Sequence, residues 1–247
     1  MKKPFSFKGE DYSRYRPQYP GRIFEYLAHL VDENYRAWDC ATGNGQAAVG
    51  LAPYFKEIIA TDINKEQIKH CIPDKKIKYL LASAENSRLP SNSVDLITVA
   101  TAIHWFDKDK FFKEAERILK PNGVLAVWNY TGFSSINKRI DNIINELNEN
   151  ILSDKYWPEP AYKIFKEGYT FKFPFVNIKA PEMIMEHSWS FKEIIMYLHT
   201  WYGVQVYIKK NKTDPIDLIY DELKKAWGDG KRKKRIKWKL LFNVSRV

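Results

Sequence analysis

Ala37-Trp38-Asp39-Cys40-Ala41-Thr42-Gly43-Asn44-Gly45-Gln46 reads as the end of a buried strand, a tight glycine turn and the opening of a helix. Gly43 and Gly45 can take backbone angles closed to other residues, and they let a ligand approach the main chain closely. The helix from Gln46 to about Ala52 points free N–H groups back at the loop. Roughly twenty residues on, Ile58-Ile59-Ala60-Thr61-Asp62-Ile63 reads as a second strand ending in a carboxylate. Such a turn suits an adenosine-bearing ligand, and an acid at that distance can accept hydrogen bonds from ribose hydroxyls.

Two cofactors fit this much. Gly43-Asn44-Gly45-Gln46-Ala47-Ala48 matches the dinucleotide fingerprint with alanine at its last position. The same run fits an S-adenosylmethionine loop, in which an acid precedes the glycines; Asp39 is that acid. A carboxylate there attracts the cationic amino end of S-adenosylmethionine and faces a pyrophosphate unfavourably. The rest of the chain has to decide.

A length of 247 residues suits one large domain, or one domain with an insertion. The formal charge of +10 favours anionic partners, whether small acids, nucleic acid or an anionic surface, without choosing among them. Cys40 and Cys71 form no disulfide framework and read as small apolar residues in a reducing compartment. The start, Met1-Lys2-Lys3-Pro4-Phe5-Ser6, lacks the apolar run of a signal peptide, and no segment is long and apolar enough to cross a bilayer. A cytoplasmic location is expected.

Residues 4–20 carry Phe7, Tyr12, Tyr15, Arg16, Pro17, Tyr19 and Pro20, and read as a surface arm or a lid. Ile23, Leu27, Leu30 and Val31 follow at helical spacing. After the glycine turn, Asn64 is placed to cap a short helix through His70, and Ile77–Leu81 is a third strand running into Ala82-Ser83-Ala84-Glu85. Val94–Ala100 is a fourth strand, followed by Thr101-Ala102-Ile103-His104-Trp105-Phe106. Asp107 or Asp109 caps a helix with Phe111, Phe112, Ala115, Ile118 and Leu119 on one face. Pro121-Asn122-Gly123 turns into a fifth strand, Val124–Trp128. Alternating strands and helices predict a doubly wound α/β fold with a parallel sheet, whose ligands sit beyond the strand C-terminal ends.

Beyond Tyr130 the pattern changes. Ile136, Ile140, Ile143, Ile144, Leu147 and Ile151 mark a helix, and 155–175 is aromatic and broken by Pro158, Pro160 and Pro174. Met183–Trp189 reads as a sixth strand. Phe191, Ile194, Ile195, Leu198 and Trp201 share one helical face, and Ile219, Leu223, Ala226 and Trp227 another. Ile236, Trp238, Leu240, Phe242 and Val244 alternate as a half-buried last strand. An antiparallel hairpin of strands six and seven would complete a seven-stranded sheet, with the two helices between them as a cap.

Five signals in order carry a resemblance: Asp39-x-Ala41-x-Gly43-x-Gly45, Asp62, Ala84-Glu85-x-x-x-Leu89-Pro90, Val94-Asp95-Leu96, and Leu119-Lys120-Pro121-x-Gly123. Together they resemble a class I S-adenosylmethionine-dependent methyltransferase of the type 11 kind. Tyr12-Ser13-Arg14-Tyr15-Arg16-Pro17-Gln18-Tyr19-Pro20, Ala102-Ile103-His104-Trp105-Phe106 and Tyr197-Leu198-His199-Thr200-Trp201 are similar to its trans-aconitate methyltransferase-like branch, which esterifies small carboxylic acids. The resemblance implies one methyltransferase domain over 1–247. Its parts are a lid and first helix (1–34), a cofactor-binding core (35–130), a substrate cap including strand six (131–234) and a terminal strand (235–247).

It also implies roles. Asp39, Ala41, Thr42 and Gly43 would hold the methionine end, Asp62 the ribose hydroxyls, and Ile63 the adenine face. Ser83, Ala84 and Glu85 would lie near the adenine amine, and Ala100, Ala102 and His104 around the sulfonium. Tyr12 and Arg16 would close over the cofactor, while Tyr15, Trp105, Tyr130 and Trp201 would line the acceptor pocket. Two positions depart from the family pattern: Ala41 stands where glycine is frequent and Ser83 where aspartate is common.

Methyl transfer is an in-line displacement at the sulfonium methyl, and the protein supplies alignment. A carboxylate acceptor is already ionised at neutral pH and needs no general base, only a cationic clamp and a dry channel. His104 reads either as a base for a hydroxyl or amine acceptor, as an orienting donor, or as a wall residue beside Trp105. His187 and His199 read as structural. No cysteine–histidine set for zinc and no carboxylate cluster for magnesium is present in the sequence. The basic run Lys231-Arg232-Lys233-Lys234-Arg235-x-Lys237-x-Lys239 could contact phosphates, or be an exposed turn with charges alternating outward, which is the simpler reading. The competing functions are an RNA methyltransferase or RNA-associated protein, disfavoured by the enclosed aromatic insert, and a nicotinamide enzyme, disfavoured by Asp39. The expected partner is a small anionic acid, with neither membrane nor nucleic acid.

Overall fold

The structure is a computed structural model and describes residues 15–169 and 171–247. In chain order it runs α1 (Gly21–Ala28), β1 (Arg36–Cys40), α2 (Gln46–Leu51), β2 (Glu57–Asp62), α3 (Lys65–Lys69), β3 (Ile77–Leu81), β4 (Val94–Ala100), α4 (Lys108–Ile118) and β5 (Leu119–Ser135). It continues with α5 (Lys138–Glu146), a six-residue π-helical stretch (Leu147–Leu152), α6 (Ser153–Tyr156), α7 (Glu159–Glu167), β6 (Val176–Ile178) and β7 (Ile184–Trp189). The last elements are α8 (Phe191–His199), α9 (Tyr202–Asn211), α10 (Asp217–Trp227) and β8 (Lys234–Arg246). By contacts the described chain divides into two compact units. The first holds residues 18–130, 169–183 and 240–247; the second holds 15–17, 131–168 and 184–239.

In the first unit β1 pairs in parallel with β2 and β4, β2 with β3, and β4 with β5, giving the strand order β3-β2-β1-β4-β5, after which β8 and β6 follow. Strands β1, β2 and β4 are buried along most of their lengths, as expected for a parallel sheet covered on both faces. Trp38, Ile58, Leu96, Ile97 and Trp128 are fully buried, each contributing about 1.5–3 kcal/mol of apolar transfer. Asp107 is the residue that caps α4, its carboxylate accepting from the Lys110 N–H at 3.3 Å. Asn64 caps α3, accepting from the Glu66 N–H at 2.9 Å.

Several expectations need correction. The sheet has eight strands, not seven. Short β6 pairs antiparallel with residues 244–246 of β8, while β7 pairs antiparallel with residues 234–239. The expected strand six, Met183–Trp189, is present as β7, and the additional strand is β6, whose three largely exposed residues carry no alternation to read. β5 spans Leu119–Ser135 rather than Val124–Trp128, and Pro121-Asn122-Gly123 is a bulge in it: Val94 pairs with Leu119 and Leu96 with Val124, so the extra residues loop out. Leu30 and Val31 fall beyond the end of α1. Three helices, not two, lie between β7 and β8. The unforeseen one is α9, where Val204, Val206 and Ile208 alternate with a strand-like period.

In the second unit the forecast faces of α8 and α10 are buried, as is Trp238 on β8. His187 and Trp189 stack at 5.6 Å, Trp189 and Trp238 meet edge to face at 5.1 Å, and Trp238 Nε1–H donates to Tyr197 Oη at 3.0 Å. His199 is buried between the Ile195 carbonyl (2.9 Å) and the Asp214 carboxylate (2.7 Å), which holds it in place structurally. Among the described residues no helix is long and apolar enough to cross a membrane, and no group of three or more His, Cys, Asp or Glu could hold a metal ion.

Candidate functional site

The parallel strands finish on one edge of the first unit, and the singled-out residues of 39–104 gather there because each follows a strand end. Asp39 stands opposite Thr98 in the β1–β4 register. One of its oxygens accepts from Thr42 Oγ1 (2.5 Å) and the Ala48 N–H (3.0 Å), and the other from Thr98 Oγ1 (2.8 Å). The carboxylate therefore ties β1, the loop, α2 and β4 together from beneath. It is fully buried, and that burial pushes its pKa up to about 6 despite the three hydrogen bonds that favour the charged form.

The loop above Asp39 holds unusual backbone angles: φ is 55° at Ala41, 57° at Gly43 and 90° at Gly45. A Cβ at Gly45 would collide with the Tyr79 hydroxyl, so that position requires glycine. A Cβ at Gly43 would meet nothing within 4 Å, which leaves open space against the loop's main chain. Asp62, half-buried at the end of β2, accepts from the Gly43 N–H at 2.9 Å and the Asn64 N–H at 2.8 Å. The next residue, Ile63, is 74% exposed, an apolar side chain presented to solvent beside an acid. Cys71 donates its thiol to the Gly43 carbonyl at 3.3 Å, and burial pushes that thiol up to about 11, so it is a wall and not a nucleophile.

Ser83 bridges to Asn86, Ala84 is buried, and Glu85 accepts the Asp107 N–H at 3.1 Å, joining the β3 end to the start of α4. At the β4 end Ala100 is half-buried and Thr101 has φ 58°, an uncommon conformation for a β-branched residue. Two contacts hold it: its N–H donates to the Trp128 carbonyl (2.8 Å), and its hydroxyl lies 3.1 Å from that of Tyr19. Tyr19 in turn meets Trp128 edge to face at 5.4 Å. Ala102 and His104 are buried, and His104 lies 4.9 Å from the ring of Trp105, which is 56% exposed. His104 Nδ1 is buried with no hydrogen-bond partner among the described residues. Burial, helped by the nearby charge of Lys108, pushes the pKa of His104 down to about 4. Tyr130, half-buried, donates its N–H to Asn129 Oδ1 at 3.0 Å.

Three further residues belong to the second unit. Arg16 Nη2 donates to the Thr200 carbonyl at 2.9 Å, Tyr15 is half-buried, and Trp201 is buried 5.9 Å from Trp157 and 5.8 Å from Tyr197. Tyr12 lies outside the described residues. Sequence reasoning missed Thr98 and Lys108 as parts of this edge, and placed Thr101 there only within the run 100–104. For Thr98 a signal existed, since a hydroxyl inside the apolar run 94–100 needs a partner once buried. Lys108 had none, and the Thr101 contacts could not be read, because both depend on residues distant in the chain: Phe171 for Lys108, Trp128 and Tyr19 for Thr101.

Comparison with known proteins agrees with this geometry. Residues 38–127 match the type 11 methyltransferase domain family. A methyltransferase candidate of Dictyostelium discoideum is 33% identical over 234 residues, covering 92% of this chain and 89% of its own. A candidate S-adenosylmethionine-dependent methyltransferase of Saccharomyces cerevisiae is 31% identical over 134 residues, 51% of this chain and 46% of its own. Among solved structures, a type II methyltransferase candidate from Anaeromyxobacter dehalogenans superposes with a TM-score of 0.86 at 32% identity, covering 94% of this chain and 97% of that one. The open main chain at Gly43, the acid ending β2 and the unpartnered imidazole beyond β4 fit a bound sulfonium nucleoside. This chain is therefore a member of the class I S-adenosylmethionine-dependent methyltransferases, an enzyme whose cofactor is S-adenosylmethionine.

Proposed function

We propose that the enzyme methylates a carboxylate oxygen of a small organic acid. The observation that carries this is the state of His104. With its pKa pushed down to about 4, it is neutral at physiological pH and a weak base. An amine of lysine type would have to lose its proton to a group weaker by roughly six pKa units. A carboxylate arrives without a proton to lose. When bound, the cofactor supplies an electrophilic methyl group; its transfer forms a C–O bond, returns the C–S electron pair to sulfur and moves no proton.

The chain's residues then have positioning roles. Asp62 accepts the ribose hydroxyls and Ile63 covers one face of the adenine. Ser83, Ala84 and Glu85 flank its amine. The loop Ala41–Gly43 offers main-chain groups to the methionine end, with the charge of Asp39 directly beneath. Ala100 and Ala102 leave room at the methyl group because their side chains are small. His104 serves as a neutral hydrogen-bonding group for the acceptor, with the Trp105 ring 4.9 Å from its own, and Tyr130 contributes to the acceptor pocket. Positioning such groups in advance is the main contribution a protein makes to a displacement of this kind.

The test is transfer of radiolabelled methyl from S-adenosylmethionine to a panel of acids, amines and phenols. Base-labile methyl esters are expected, with no activity limb from His104 between about pH 5.5 and 8, because it is already neutral there. Labelled amines or phenols without esters, together with an activity limb near a normal histidine pKa of about 6.5, would overturn the reading.

A further inference from the structure

We propose that Lys108 anchors the acceptor's carboxylate, holding it beside the unpartnered ring of His104 and against the aromatic wall headed by Phe171. The proposal rests on the acid-acceptor reading above and names the residue that recognises the acid. Lys108 is the first residue of α4, half-buried, and makes no ion pair among the described residues. Its ammonium lies 5.1 Å from the centre of the Phe171 ring, and its charge reaches His104 strongly enough to disfavour a proton there. A cation resting on a ring face is held weakly and is free to turn toward an anion.

The charged neighbours are already engaged. Lys110 is bound to Asp107 at 2.7 Å, and Glu85 takes the Asp107 N–H. Lys108 is thus left as a cation without a carboxylate next to a buried imidazole without a hydrogen-bond partner. Both deficits are met by one ligand: an anionic oxygen for the ammonium and a polar atom for the imidazole. The wall suits the rest of such a molecule. Phe171 lies 5.2 Å from Phe173, 5.6 Å from Tyr169 and 6.3 Å from Phe112, all within the first unit, and Phe171 and Phe173 are each partly open to solvent. The site therefore selects an acid with an apolar body over a fully polar one.

The experiment uses the full-length chain and a panel of C4 to C6 di- and tricarboxylates with octanoate and benzoate. KM and kcat are measured for the best acid, and S-adenosylhomocysteine affinity by calorimetry, in the wild type, Lys108→Met and Lys108→Arg. Inhibition by that acid and by its primary amide is compared. Lys108→Met is expected to raise KM about tenfold or more with kcat within about threefold and cofactor affinity within about twofold. Lys108→Arg should recover most of the loss, and preference for acid over amide should disappear only in Lys108→Met. An unchanged KM in Lys108→Met, or equal losses for acid and amide, would overturn the assignment while leaving the acid reading intact. If the wild type esterifies no acid of the panel, the acid reading falls and the anchor with it.

Discussion

Where β1 and β4 begin, Asp95 accepts the N–H groups of Tyr35 (3.1 Å) and Arg36 (2.7 Å) on one oxygen and pairs with Lys120 at 2.7 Å through the other. Lys120 also reaches Glu33 at 3.1 Å, and Arg36 pairs with Glu57 at 2.7 Å. Where the same two strands finish, Ala41 and Thr101 are held at φ 55° and 58°, Asp39 is buried with its pKa raised, and the His104 ring is unpartnered. Both buried acids accept hydrogen bonds on both oxygens, but only Asp95 at the first edge is also matched by a cation, Lys120. The second keeps strain and unmet polar groups that a ligand can relieve. A hollow of about 240 Å³ lies at the first edge, lined by Val31, Asp32, Asp95 and Lys120, yet its chemistry is already complete. Unmet chemistry, not open volume, distinguishes the functional edge.

The sharpest way to break this contrast is Asp95→Ala. It strands two backbone donors and removes the shorter of the two Lys120 ion pairs, so a loss of about 3 kcal/mol in urea unfolding is expected. Cofactor affinity of the folded fraction should stay within about twofold. A large drop in S-adenosylhomocysteine binding with intact stability would reverse the roles of the two edges.

Asp39 should behave differently because its cost depends on pH. Its folded pKa of about 6 lies above the ordinary aspartate value of about 3.9, so the folded state holds the proton more tightly than the unfolded chain. The stability linked to that proton is full below about pH 4 and is lost as pH rises through about 6. The total is about 3 kcal/mol at most. Asp39→Asn should remove this slope in stability measured by denaturant titration at a series of pH values. Binding of the cationic cofactor favours the ionised acid, so the wild type should release protons on binding between about pH 5 and 6. Calorimetry in buffers of different ionisation enthalpy reads that release, and its absence would separate Asp39 from the cofactor.

Asp62→Ala is next in size. It should weaken S-adenosylhomocysteine binding by about 1.5–3 kcal/mol, because hydrogen bonds to a charged group are lost. Stability should change by about 1 kcal/mol or less, since the acid is half-exposed and its two protein donors are main-chain groups near solvent. If stability fell and affinity held, Asp62 would belong with Asp95 as a structural acid.

The cofactor half of the fold was legible because each of its signals is local. Apolar runs at 58–61 and 94–100 end in an acid or a small residue, and positive φ at residues 43 and 45 demands glycine. Strand β6 was hidden because Val176-Asn177-Ile178 is short and largely exposed at a sheet edge, and α9 because its apolar residues alternate. In the site the loop and Asp62 could be read, whereas the link from Asp39 to Thr98 spans 59 residues and depends on the β1–β4 register. Lys108 lies against Phe171 through tertiary packing, which no spacing in the chain reveals.

The smallest effect tests the strain itself. Ala41 holds φ 55° in the turn, a left-handed conformation that favours glycine. A Cβ in the left-handed region costs about 1–2 kcal/mol. Glycine removes that cost but gives the unfolded chain more freedom, offsetting about 0.4–1 kcal/mol. Ala41→Gly should therefore stabilise the protein by about 0.5–1 kcal/mol, read as a higher denaturant midpoint at unchanged slope. The same substitution at Ala37, a buried residue of β1, should destabilise, because glycine weakens a strand whose angles any residue can adopt. If both substitutions destabilise equally, the turn is not strained, and the difference between the two edges reduces to hydrogen bonding and charge.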